Sequence, residues 1–123
     1  GLGDVYKRQG MGTVVEDDIY IQDGEARLHI FPLPSSHAKG CVALEVNDEW
    51  CFLGDALYSM QKCGHNLYNA GILKDEINVL QNIKAEKFML SHRTPFEKPK
   101  GIIMRWLGEI YDRRVKGEVY IEI

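Results

Sequence analysis

The chain is expected to fold as a mixed α/β (α+β) domain, in which a mixed β-sheet packs with two main helices. Three observations predict this. The runs Ala26 to Phe31, Cys41 to Val46 and Trp50 to Leu53 alternate or are continuously apolar, as strands are. Between the last two, Asn47-Asp48 forms a tight-turn pair that makes them a hairpin. Two later stretches carry apolar residues at helical spacing: Leu73, Ile77, Leu80 and Ile83, then Ile103, Trp106, Leu107, Ile110 and Tyr111.

In chain order, Gly1 to Gln9 stands apart. Asp4 to Gln9, DVYKRQ, is also the in-frame translation of a transposon end used to prepare sequencing libraries, and the stretch has neither periodicity nor a capping pattern. It reads as adapter read-through rather than native sequence, and fold reasoning starts at residue 10. Short β-type segments follow at Thr13 to Val15 and Ile19 to Ile21, with a turn at Asp23-Gly24. In Ala26 to Phe31, Leu28 and Ile30 share one face, and His29 and Phe31 the other. Pro32 and Pro34 end that strand and lead into a loop around His37.

Cys41 to Leu44 and Trp50 to Leu53 read as strands buried on both faces. Ala56 to Gly71, rich in Tyr, Asn and Gly, reads as a loop too long for a simple connection, and loops of that length are usually functional or mobile. Leu73 to Ala85 is expected to be an amphipathic helix that feeds a strand from Lys87 to His92. Pro95 and Pro99 bracket a second loop, a longer helix runs from about Gly101 to Val115, and Gly117 stops it before a last alternating strand at Val119, Ile121 and Ile123.

Composition is that of an ordinary soluble domain. With 123 residues there is one domain at most, and a formal net charge of −3 gives no electrostatic case for nucleic acid or an anionic membrane. Without Gly1 to Gln9 the balance becomes 13 basic against 17 acidic residues. No apolar run approaches the roughly 20 residues that span a bilayer, and no signal peptide is visible. Cys41, Cys51 and Cys63 are odd in number, and two of them lie in strand-like runs, which favours a reduced, cytoplasmic compartment.

The candidate chemistry lies between Leu33 and Asp55. His37, in Ser35-Ser36-His37-Ala38-Lys39-Gly40, and Asp55, directly after Leu53-Gly54, sit at opposite ends of the predicted hairpin. The strand Lys87 to Leu90 then runs into Ser91-His92. This order, His-x-x-Gly, strand, turn, strand, Gly-Asp and a later strand ending in histidine, resembles the second half of the metallo-β-lactamase fold. The spacings of 18 and 37 residues suit it, and the resemblance covers Gly24 to about Ile123. The family's most recognisable motif, His-x-His-x-Asp-His, is absent.

The resemblance implies that residues 10–123 form the C-terminal half of an αββα sandwich whose two similar halves total nearly twice this length, in a gene broken at a contig edge. It also implies a metal-dependent hydrolase with two zinc ions, or iron or manganese, in the intact parent. His37 would complete the first metal's histidines, Asp55 would bridge both ions and orient the nucleophile, and His92 would bind the second. Metal-bound hydroxide would attack an ester, thioester, phosphoester or lactam of a small-molecule substrate, while the fragment itself would be inactive. Chemically the residue types suit this role, because such ions take imidazole nitrogen and carboxylate oxygen, and an open coordination position lowers the pKa of bound water to about 7.

Other readings stand beside these. Asp55 after Gly54 also suits an Asx-turn that closes a strand. Lys39, Tyr58 and Arg93 flank the site, where a cation or hydroxyl would stabilise an anionic transition state; Tyr68 and Asn69 lie near them, and Lys39 and Arg93 also suit plain solvated positions. Cys63-Gly64-His65 lacks the second pair of a zinc ribbon and reads as a structural or exposed loop. His29 reads as half-buried or at the surface of its strand. Ser36 stands where the family usually has glycine before the histidine, and Leu90-Ser91 where it has Pro-Gly, which argues against the antibiotic-hydrolysing branch. The alternative for the whole protein is a catalytically inactive binding domain that kept the fold, with a flavodiiron-type electron-transfer role a weaker third.

Overall fold

A computed structural model of the chain describes residues 17–92 and 94–123. The expected adapter segment, the strand at Thr13 to Val15 and Arg93 lie outside the described residues. Among those described, the fold is mixed α+β, with nine strands and two helices. Strands β1 (Ile19–Asp23) and β2 (Ala26–Pro32) pair antiparallel around Gly24, whose φ of +60° only glycine adopts cheaply. Next come β3 (Val42–Val46) and β4 (Trp50–Gly54), joined at the expected turn. Asn47 and Asp48 both have positive φ, 53° and 56°, as a type I′ hairpin turn requires. The Asn47 side chain accepts a bond from the Arg27 N–H at 2.7 Å, which stitches the turn to β2.

Two elements differ from expectation. Within the stretch read as a long loop, β5 (Met60–Lys62) and β6 (His65–Asn69) form a second hairpin around Cys63 and Gly64, both with positive φ. Its strands lack alternation and its turn carries Cys at a left-handed position, so neither usual hairpin signal is present. The stretch bracketed by Pro95 and Pro99 is strand β8 (Thr94–Pro99), paired antiparallel with β7 (Lys87–His92). It is the last strand of its sheet, the position where proline's missing N–H costs no ladder bond.

Helix α1 (Ala70–Asn82) begins and ends three residues before the expected span. The Asn69 side chain caps it by accepting from the Ile72 N–H at 3.0 Å. At the other end the N–H groups of Lys84 and Ala85 are taken by the buried Glu45 carboxylate, at 2.8 and 2.7 Å, rather than by another helical turn. Helix α2 (Lys100–Asp112) follows β8, and Lys100 donates to the Ile83 carbonyl beyond the end of α1 at 2.8 Å. Strand β9 (Tyr120–Glu122) then returns to pair with β6.

The strand order of the main sheet is β1-β2-β3-β4-β7-β8, with β4 and β7 parallel and the other pairs antiparallel. A second, three-stranded sheet has the order β5-β6-β9. One face of the main sheet contributes Phe31, Ala43, Cys51, Leu53, Phe88 and Leu90 to a single core with Leu73, Leu80, Ile103, Leu107 and Ile110 of the helices. The other face carries the row Leu44, Phe52 and Met89 beside Leu28, Val46 and Trp50. Leu28, Leu44, Val46, Trp50 and Met89 are half-buried and Phe52 is 41% exposed, while Ile30, opposite Leu44 on the same face, is buried. Strands β3 and β4 are thus apolar on both faces, and the described helices cover one of them. Lys87 lies over the Trp50 ring, 4.9 Å from its centroid, and shields part of the open face.

Candidate metal centre

His37 projects from a loop that links β2 to β3, closed at its base by the Leu33 N–H to Cys41 carbonyl bond of 2.9 Å. Ser35 and Ser36 are buried beneath it, while His37 and Lys39 are exposed. Ser35 Oγ donates to the Ala56 carbonyl at 2.6 Å and accepts the His37 N–H at 3.1 Å. Ser36 Oγ accepts the Asn69 N–H at 3.0 Å, tying the loop to the start of α1. The His37 ring nitrogen Nδ1 lies 3.1 Å from the Ser59 carbonyl, which can only accept, so Nδ1 carries a proton and, in the neutral imidazole, Nε2 is the nitrogen with the lone pair.

Asp55 follows Gly54, which has φ of +57° and sits at an irregularity in the β4–β7 pairing. That break turns the chain out of the sheet, and the bonds Ala56 N–H to Leu53 carbonyl and Tyr58 N–H to Asp55 carbonyl, both 3.1 Å, close a turn around it. Asp55 is exposed and its partner Tyr58 half-buried. Burial, then the charge of Asp55, push the Tyr58 phenol above its ordinary pKa. Beneath them the Tyr68 hydroxyl donates to the Leu57 carbonyl at 2.8 Å, holding the turn against the core.

Topology brings the expected ligands to one edge of the main sheet. Gly54 of β4 pairs with Leu90 of the parallel strand β7, so Asp55 and His92 leave neighbouring strands at their C-terminal ends. Because β3 runs antiparallel to β4, the loop before β3 that carries His37 lies at the same edge. The carboxyl ends of parallel strands are where α/β sheets commonly place ligands.

These donors are of types that suit a metal ion: an exposed imidazole with its Nδ1 proton engaged by a carbonyl, the usual arrangement behind a ligating histidine, and an exposed carboxylate on a loop at the same end of the sheet. Among the described residues no group of three His, Cys, Asp or Glu side chains is gathered on one point. His37 and Asp55 are the two expected ligands whose side chains are described.

The remaining histidines have structural partners. His65 Nδ1 faces Glu122 at 2.9 Å across β6 and β9, and Cys63 is the exposed tip of the hairpin. His29 is half-buried between Glu45 and Asp18, at 3.0 and 2.8 Å, with Tyr20 stacked 4.4 Å away. Ser59 contributes through its carbonyl alone, and Ser35 through burial, so neither has a sequence signal.

No protein-family model matches the chain, and no curated protein or solved structure matches it either.

Proposed function

We propose that the chain is the C-terminal half of a metallo-β-lactamase-like domain in a metal-dependent hydrolase. The observation that carries this is the convergence of the His37 loop, Asp55 and the end of β7 at one sheet edge, with Nε2 of His37 left available. The open apolar face around Phe52 adds support, since an αββα sandwich would seat its other sheet there. His37 and Asp55 would hold zinc, iron or manganese together with His92 and donors from the missing half. Bound there, the metal would polarise a scissile ester, thioester, phosphoester or lactam bond and acidify water. Asp55 would orient the attacking water, Tyr58 would place a neutral hydroxyl beside it, and Lys39 would attract an anionic small-molecule substrate. The three free cysteines suit a reducing, cytoplasmic setting, and no described helix is long and apolar enough to cross a membrane.

The test is to recover the coding sequence upstream of Gly10 from genomic DNA and express the resulting protein. A His-x-His-x-Asp-His motif, about two metals per chain by elemental analysis and turnover of a generic ester or phosphodiester are expected. Substituted ligands upstream, with neither metal nor turnover, would instead favour the binding-domain alternative.

A further inference from the structure

A histidine on an exposed loop ordinarily samples several rotamers, whereas a ligand must be held to within about 0.5 Å. Something has to fix His37 relative to Asp55. We propose that Ser35 is the positioning residue that sets this offset, an inference that rests on the metal reading of the site. Ser35 is 8% exposed, and its hydroxyl touches both ligand-bearing loops at once: it accepts from the backbone N–H of His37 itself and donates to the carbonyl of Ala56, the bonded neighbour of Asp55. The 2.6 Å bond to Ala56 is at the short end of the range for a hydroxyl donor. Ser36 and Ser59 anchor the same loop from other sides, through Asn69 and through Nδ1, but neither reaches the Asp55 turn and the His37 backbone together. Alanine at 35 would leave the His37 N–H without this acceptor and the Ala56 carbonyl without this donor. Loss of a supporting partner of this kind typically costs a metal site ~10- to 100-fold in affinity.

The experiment uses the 123-residue chain, with two readouts: zinc affinity by competition with a chromophoric chelator, and the His37 tautomer by ¹⁵N NMR. Wild type should show the Nδ1-protonated tautomer. Ser35→Ala should weaken zinc ~10-fold or more and let His37 relax toward the tautomer mixture of a free imidazole, with amide shifts of the helices unchanged. Ser35→Thr, which keeps the hydroxyl, should restore both. A folded Ser35→Ala with wild-type affinity and tautomer overturns the proposal. If Ser35→Ala does not fold, Ser35→Cys, a weaker donor of similar size, takes its place: reduced affinity supports the proposal and wild-type affinity overturns it. His37→Ala is the control for the metal reading. Unchanged zinc affinity in that variant would overturn the metal site, while the tautomer readout would still decide the role of Ser35.

Discussion

Gly54 and Leu90 are paired across two parallel strands, and the chain leaves each strand at a candidate ligand, Asp55 one residue on and His92 two residues on. Equal polarity and this register put two positions, 37 residues apart in sequence, at the same end of the sheet. Local propensity does not achieve this. The parallel crossover through α1 does.

In the proposed parent hydrolase each expected ligand should matter, and unequally. His37→Ala, Asp55→Ala and His92→Ala should each reduce turnover by ~10²-fold or more, with Asp55→Ala the worst if the carboxylate bridges two ions. His65→Ala should be mild, because His65 pairs with Glu122 in the second sheet. The isolated chain, offering fewer donors per ion than a zinc site needs, should bind zinc weakly and hydrolyse nothing. Steady-state kinetics and elemental analysis check this; undiminished turnover in Asp55→Ala would remove Asp55 from the site.

The thiols should differ sharply in reactivity. Burial, then the nearby Glu45 charge, push the Cys51 thiol up to about 12, whereas Cys63 is exposed at a hairpin tip. Since the thiolate is the reactive form, Cys63 should label with maleimide at pH 8 while Cys51 stays unlabelled until denaturant is added. Peptide mapping after timed labelling gives the order. Equal rates for the two in the native chain would contradict the packing of β4.

Much of this was legible from residue pattern, and the failures have identifiable causes. The β3–β4 hairpin announces itself because Asn47-Asp48 is the chemistry its turn demands. The β5–β6 hairpin does not, because its order depends on β9, more than 50 residues later, pairing Leu67 with Glu122 and Tyr68 with Ile121. Strand β8 hides behind two prolines that a terminal strand tolerates. At the site, His37 and Asp55 stand out by motif, but what holds them does not. A serine hydroxyl bridging two loops and a backbone carbonyl of Ser59 leave no trace in a one-dimensional pattern.

The open sheet face should make the isolated chain associate. Leu44, Phe52 and Met89 form one cross-strand row and Val46 lies opposite Trp50 in the next, so the apolar surface is contiguous rather than scattered. Phe52→Lys, at a 41% exposed position on this face, should shift the chain toward monomer without loss of helical circular dichroism. Sedimentation velocity across a range of concentrations reads the effect. A wild-type chain that stays monomeric and melts cooperatively would count against the half-sandwich.

Glu76 should make stability depend on pH in an unusual direction. Its carboxyl is buried in α1, Oε2 has no hydrogen-bond partner among the described residues, and burial raises its pKa from 4.5 to about 9. The nearby Tyr68 phenol is raised too, first by burial and then by Glu76 itself. For an acid whose folded pKa exceeds its unfolded one, the folded chain holds a proton that the unfolded chain has lost. Between pH 4.5 and about 9 each unit rise therefore removes on the order of 1 kcal/mol from this group's contribution, which is intact below pH 4.5. Glu76→Gln, neutral at every pH, abolishes that slope. Its stability relative to wild type should be near equal at pH 4.5 and should rise steadily toward pH 9. Urea unfolding of both proteins at four pH values isolates the difference from all other titrating groups. A stability difference that does not change with pH would show that Glu76 is not held neutral in the fold.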